Sequence, residues 1–294
     1  MKQLTGAITA LVTPFDKKGN VDVPTLQKLV AFQIKEGING IVACGSTGEA
    51  ATLSFEEYSL VIKTVVDTVA GRIPVIAGAV SNDTHKSIHL SQLAKKSGAD
   101  ILLHVNPYYN KPTPAGLLAH YKAIAATVDL PFLLYNVPGR TGSNMTAATT
   151  LRIAQEIPQV IGIKESSANL PQMMEIIRSA PKNFSLLSGD DNFTLPIIAI
   201  GGMGAISVVA NETPKAFTQL VQHALAGEWE KAKKMHYQLL DLMDVNFIET
   251  NPQPVKTALA LMGKVEEVFR LPLVQMEKKN KEELKKVLKN MELI

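Results

Sequence analysis

Only one cysteine, Cys44, occurs in the 294 residues, so no intramolecular disulfide can form and a reducing cytosol suits the composition. Charge of one sign is also scarce. Thirty Lys and Arg against 27 Asp and Glu leave a formal net charge of +3, too weak and too dispersed to argue for nucleic acid or a membrane surface. Long hydrophobic runs are missing as well. The opening stretch Leu4-Thr5-Gly6-Ala7-Ile8 is soon broken by Thr13-Pro14, which leaves no room for a secretory leader with its cleavage site. No run approaches the ~20 apolar residues that cross a bilayer. The sequence has neither low-complexity segments nor long linkers. What remains is 46% hydrophobic and 19% charged, the balance of a chain that folds around a large core. Its length suits one barrel with a small extension, or two ordinary domains.

Eight short apolar runs punctuate the first two-thirds: Ala7–Val12, Gly40–Cys44, Val75–Ala79, Ile101–Val105, Phe132–Tyr135, Val160–Ile163, Ser185–Leu187 and Ala205–Val209. Each is nearly continuous in apolar character, as strands buried on both faces of a parallel sheet should be. Amphipathic helical patterns lie between most of them, at Val23–Glu36, Phe55–Ala70, Asp83–Ser97 and Phe193–Ile200. Ser54 followed by Glu57 reads as a capping box opening the second. Strand and helix alternating about eight times predicts a closed (β/α)8 TIM barrel over an open doubly wound sheet. Beyond it the pattern turns helical, at Pro214–Ala226, Glu228–Phe247, Pro254–Met262 and Lys281–Met291, so a catalytic barrel over 1–225 and a C-terminal helical domain over 226–294 are expected. The lysines of the last helix read as a solvated face over an apolar stripe.

Barrels of this kind carry their active sites at the carboxyl ends of the strands. There the chain places Gly45-Ser46-Thr47-Gly48-Glu49, Asn106-Pro107-Tyr108-Tyr109-Asn110, Tyr135-Asn136 with Arg140 beyond, Lys164-Glu165, and Ser188-Gly189-Asp190-Asp191. Polar and ionisable groups thus converge on one rim. Lys164 is the most informative of them. An apolar setting favours the neutral amine that attacks a ketone carbonyl, so a strand-end lysine points to Schiff-base chemistry. The bland alternative is an ion pair at the barrel mouth, with Glu165 the nearest acid in sequence. The loop Gly45–Glu49 can expose consecutive N–H groups to a carboxylate, or it can be a tight turn; it lacks the ending of a nucleotide P-loop. Tyr135 fits an acid/base beside Lys164 or an ordinary core tyrosine. Arg140 fits a carboxylate receptor or a surface arginine.

Other features read as structural. His85 and His89 have helical spacing but no third ligand, so no metal is expected. Cys44 reads as a small packed residue. Gly201-Gly202-Met203-Gly204 precedes its strand, the wrong end for phosphate. Asp190 and Asp191 occupy the seventh loop, where many barrels hold phosphate, and would repel it.

Taken together, the motifs resemble the dihydrodipicolinate synthase family of pyruvate-dependent class I aldolases, a group that includes N-acetylneuraminate lyase. The similarity runs from Gly6-Ala7-Ile8-Thr9-Ala10-Leu11-Val12-Thr13-Pro14-Phe15 through the segments above to Asn251-Pro252-Gln253-Pro254-Val255-Lys256. Tyr108-Tyr109-Asn110-Lys111-Pro112 and Pro138-Gly139-Arg140-Thr141-Gly142 favour the synthases over the sialate lyases, the nearest alternative. The resemblance implies that Lys164 forms an imine with pyruvate, and that the enamine attacks L-aspartate 4-semialdehyde in lysine and diaminopimelate biosynthesis. It makes Tyr135 the proton donor and acceptor, and Tyr109 its relay partner from a neighbouring subunit. Ser46 stands where most synthases carry threonine. The resemblance further implies that the Ser46 and Thr47 amides hold the keto acid's carboxylate, that Arg140 faces the semialdehyde's carboxylate, and that the Gly189 and Ile206 carbonyls line the pocket. No metal or dissociable cofactor is implied, and the assembly expected is a cytoplasmic homotetramer built as a dimer of dimers. Many relatives are inhibited by L-lysine in a cleft between subunits. Here Asn82 and Tyr108 match the sensitive pattern, while Ala50, Phe55, Tyr58 and Lys86 depart from it, so weak inhibition is expected.

Overall fold

The computed structural model describes residues 3–294. Eight strands close a parallel barrel in sequence order: β1 (Gly6–Ala10), β2 (Gly40–Ala43), β3 (Val75–Gly78), β4 (Ile101–Val105), β5 (Phe132–Asn136), β6 (Val160–Glu165), β7 (Ser185–Ser188) and β8 (Gly204–Ser207). The first helices around it are α1 (Val23–Lys35), α2 (Phe55–Val69), α3 (Thr84–Lys96) and α4 (Pro114–Thr127). They are followed by the single turn α5 (Pro138–Thr141), then α6 (Ala147–Glu156), α7 (Leu170–Ser179), α8 (Thr194–Ala199) and α9 (Pro214–Leu225). Beyond the ring lie α10 (Trp229–Val245), α11 (Gln253–Leu261) and α12 (Lys278–Asn290), with α10 and α11 both packed on α12. No helix among the described residues is long and apolar enough to cross a membrane. The predicted elements are all present, with ends moved by a few residues. The last helix starts three residues early, at Lys278, and the eighth strand stops at Ser207 before a 3-10 turn over Val209–Asn211.

Alternation along each strand sorts the apolar residues into two cores. Ile8, Val42, Ile76, Leu103, Leu133, Leu187 and Ile206 fill the barrel interior. Their neighbours Ala7, Ile41, Ala77, Leu102, Leu134, Leu186 and Ala205 meet the helices. Both faces are covered, which is why the strands read as unbroken apolar runs.

β6 breaks the alternation. Its register against β5 shifts between Phe132 and Leu133, which pair with Val160 and Gly162, so Ile161 is an extra residue. From there on, Ile163 joins the outer core, and Lys164 pairs with the inward-facing Tyr135. The bulge therefore decides that the lysine, and not its neighbour Glu165, faces the interior.

Candidate active site

The barrel mouth holds a cavity of about 150 Å³, lined by Gly45, Ser46, Thr47, Tyr108, Tyr135, Arg140 and Lys164 over an apolar floor that includes Ala10, Val42, Leu103 and Val105. Lys164 is 5% exposed, and its ammonium lies 4.4 Å from the centre of the Tyr135 ring. Among the described residues no carboxylate comes within 4 Å of it. Glu165 is not its partner, because adjacent strand residues face opposite sides. That carboxylate is outside the barrel wall and accepts from Asn136 Nδ2 (3.0 Å), Ser167 N (2.8 Å) and Gln172 Nε2 (3.1 Å). Burial raises its pKa, against the pull of those hydrogen bonds. The ion-pair reading of Lys164-Glu165 is thereby overturned.

Gly189 serves the lysine by having no side chain. A Cβ there would stand 3.0 Å from Lys164 Cε and 1.9 Å from Ser166 Oγ. Any other residue would push the lysine stem aside. Neither Gly189 nor Ile206, an interior residue of β8, borders the cavity itself.

The loop after β2 wraps one side of the mouth. Gly48 N donates to Gly45 O and Glu49 N to Ser46 O, forming the turn, while the Ser46 and Thr47 amides donate to no acceptor among the described residues. Two adjacent free N–H groups at a cavity wall are what a carboxylate needs. Thr47 Oγ1 accepts from Asn251 Nδ2 at 3.0 Å, and Thr13 Oγ1 donates to Gly48 O at 2.7 Å, so the loop is fixed from behind.

Arg140 sits on α5, whose Pro138 start and left-handed Gly142 end confine it to one turn. Its guanidinium donates to Asn251 O at 3.1 Å, and the residue lines the cavity. Tyr108 lines the same wall. Tyr109, in contrast, is 89% exposed and borders no part of the cavity within a single chain.

The two acids of the seventh loop play different parts from the one expected. Asp191 is buried, and its Oδ2 accepts from the Val208 and Val209 amides at 3.0 and 2.8 Å. Burial raises its pKa to about 6. It thus occupies the N–H groups after β8 that a phosphate would take, a stronger obstacle than repulsion alone. Asp190 lies near enough for the charges of Lys164 and Arg140 to lower its pKa, although burial raises it overall. Cys44 is buried, with its thiol pKa pushed up by burial. His89 packs edge-on against Phe55 at 4.6 Å, and no group of three metal-binding side chains forms among the described residues.

Sequence reasoning missed the contribution of the C-terminal segment. Asn251, Lys256 and Arg270 all reach the loop after β2 or its neighbours, more than 200 residues away in the chain. Only the motif Asn251–Lys256 hinted at it.

The dihydrodipicolinate synthetase family model matches residues 3–291. A 4-hydroxy-tetrahydrodipicolinate synthase of Maridesulfovibrio salexigens is 50% identical over 289 residues, 98% of this chain and 99% of the relative. The dihydrodipicolinate synthase structure from Aquifex aeolicus superimposes with a TM-score of 0.97 at 45% identity, covering 99% of both chains. The enzyme of Cyanidioschyzon merolae, solved with lysine bound, matches with a TM-score of 0.97 at 38% identity over the full length of both. With a lysine-centred barrel mouth and similarity that spans the chain, the protein belongs to the dihydrodipicolinate synthetase family.

Proposed function

We propose that the chain condenses pyruvate with L-aspartate 4-semialdehyde to give 4-hydroxy-tetrahydrodipicolinate, through an imine on Lys164. The observation that carries this reading is a buried lysine with no carboxylate partner, set against a tyrosine ring beside two free backbone amides. The Ser46 and Thr47 amides receive the keto acid's carboxylate, which places the ketone carbon over Lys164. Its amine attacks, water leaves, and the methyl group loses a proton to give the enamine. The nucleophilic carbon adds to the aldehyde, whose own carboxylate faces Arg140. Attack of the aldehyde substrate's amino group on the imine carbon then closes the ring and frees the lysine.

Tyr135 and Ser46 carry protons along the cavity wall. Serine keeps the hydroxyl of that relay but lacks the methyl that restricts a threonine rotamer. Tyr109 completes the relay from a second copy of the chain, which agrees with its exposure in an isolated subunit. The assembly we propose is a cytoplasmic tetramer built from two such dimers. The Gly189 and Ile206 carbonyls meet the substrate once the imine fills the mouth. Since the protonated imine is itself the electron sink, the chemistry calls for no metal or dissociable cofactor.

Borohydride reduction with pyruvate tests the reading. It should fix a three-carbon adduct on Lys164 and inactivate the protein, while a stable adduct on another lysine would reject the assignment. Cleavage of sialic acid far faster than semialdehyde condensation would move the chain to the sialate lyases.

A further inference from the structure

A second lysine is buried more deeply than Lys164, and the reaction above gives it no task. Lys256, on α11, has a fully buried side chain whose ammonium lies 2.6 Å from Glu49 Oε1. The other oxygen of Glu49 accepts from Arg270 N at 3.3 Å. The Phe15 ring lies under both cations, 4.0 Å from the Lys256 ammonium and 4.4 Å from the Arg270 guanidinium carbon. Arg270 is anchored in turn. It donates to Gly19 O, to Thr52 O at 2.9 Å, and through both terminal nitrogens to Glu57.

The position of Glu49 gives this cluster its meaning. Glu49 ends the loop Gly45–Glu49 in the left-handed backbone region, at φ 52°, and Cys44, the residue just before the loop, lies there too at φ 54°. Residues with a Cβ are held in that region only when their surroundings over-determine it. Replacing a buried ion pair by apolar residues of similar size is often neutral or stabilising, so stability alone does not account for Lys256. What the pair does fix is one backbone conformation, that of the turn whose Ser46 and Thr47 amides are left without partners. Asn251, on the same C-terminal segment, bonds Thr47 Oγ1 with its side chain and Arg140 with its carbonyl.

We propose that Lys256 is a positioning residue for keto-acid capture: through Glu49 it holds the turn in which the Ser46 and Thr47 amides point together at the substrate carboxylate. The proposal rests on the pyruvate reading above for its ligand. Its geometric half, that the pair holds the turn, stands apart from that reading. Loss of the clamp lets the two amides diverge, so keto acid binds more weakly, and the Ser46 hydroxyl moves with them, while Tyr135 and Arg140 keep their places. The effect therefore falls on the concentration of pyruvate needed to load Lys164, and through Ser46 it adds a fall in the rate of proton transfer once the lysine is loaded.

The test uses the full chain with Lys256→Met, Lys256→Arg and the double variant Glu49→Gln/Lys256→Met, which leaves no stranded charge if the single variant fails to fold. Hydrogen–deuterium exchange is followed across Cys44–Ala50, and borohydride trapping is followed over a pyruvate series. We expect about tenfold faster exchange in that segment and about tenfold more pyruvate for half-maximal adduct in Lys256→Met or the double variant. The semialdehyde KM and the maximal extent of trapping should stay within about twofold, and Lys256→Arg should recover part of the loss. Unchanged exchange in a folded variant would overturn the clamp. So would a fall in kcat with the pyruvate dependence unmoved. Were the parent chain to form no pyruvate adduct, the functional reading would fail, and the exchange measurement would still decide whether Lys256 holds the turn.

Discussion

Lys164 and Lys256 flank the same loop, and both are almost wholly removed from water. Each lies over an aromatic ring, at 4.4 Å from Tyr135 and 4.0 Å from Phe15. They differ in what else is nearby. Lys256 has a carboxylate at 2.6 Å, whereas Lys164 has none within 4 Å among the described residues, and opens instead onto a cavity. Burial lowers the Lys256 pKa to about 8, and Glu49 works against that fall by favouring the charged form. On the roles proposed for the two lysines, depth of burial does not tell a nucleophile from a strut. The presence or absence of a counter-charge does, together with access to a space that a substrate can enter.

Exchanging each lysine in turn puts the contrast under the greatest strain. Lys164→Ala should cut turnover by ~10³-fold or more while leaving thermal stability within about 1 kcal/mol, because no ion pair is broken. A large loss of stability in that variant would mean that Lys164 is a structural residue after all. Lys256→Ala should show the reverse pattern in denaturant melts, a cost of about 3–5 kcal/mol from the charge stranded on Glu49. Near-normal stability there would dissolve the distinction.

Arg140 offers an intermediate case, a cation at the cavity held by a carbonyl in place of a carboxylate. Arg140→Ala should lower kcat/KM for the semialdehyde by about 10- to 150-fold, the equivalent of ~1.5–3 kcal/mol for a charge-assisted contact. Imine formation with pyruvate should change far less, and failure at the pyruvate step alone would reassign the residue.

Buried bases also occur away from the mouth, His104 and His120, the second with the Asp83 carboxylate near enough to oppose the effect of burial. Burial lowers the His104 pKa to about 3 and that of His120 to about 4. Their folded values lie below the unfolded value near ~6.5, so each contributes stability that is present above that pH and is lost as pH falls toward its folded pKa. Unfolding free energies from urea melts should drop from pH 6.5 toward pH 4 by up to ~1.4 kcal/mol per pH unit for each histidine, less steeply in His104→Gln. An equal slope in that variant would point to other groups.

The smallest effect expected is that of L-lysine. Lys86 is exposed, and Phe55 is engaged with His89, where the resemblance leads one to look for an acid and a histidine. Like charges about 4 Å apart repel by ~1–4 kcal/mol between water and a protein surface. Rates at saturating pyruvate should barely respond to L-lysine near ~1 mM, and half-inhibition below that would reveal another set of ligands.

The barrel and most of its rim were legible because buried parallel strands write themselves as apolar runs, and because strand ends mark the rim. Lys164 was found in that way. Harder to read were features set by partners distant in sequence. The Lys256–Glu49 pair joins residues 207 apart, and neither one carries a local pattern that names the other. Asp191 looked like a rim charge because nothing in Gly189-Asp190-Asp191 says that its carboxylate turns to the amides of Val208 and Val209. The β6 bulge was equally silent, since one extra isoleucine in an apolar run leaves the run apolar.

That bulge makes the chemistry of the mouth a matter of phase. A strand presents alternate residues like the teeth of a ratchet, and Ile161 is the single tooth that sets which of two neighbours turns inward. Ironing the bulge out, so that Ile161 paired with Leu133 and every later residue slipped one place along β5, would swing Lys164 toward the helices and bring Glu165 into the barrel. An amine-lined mouth would become an acid-lined one without altering either residue. At this strand a one-residue slip of register carries more catalytic consequence than many exchanges among its apolar side chains.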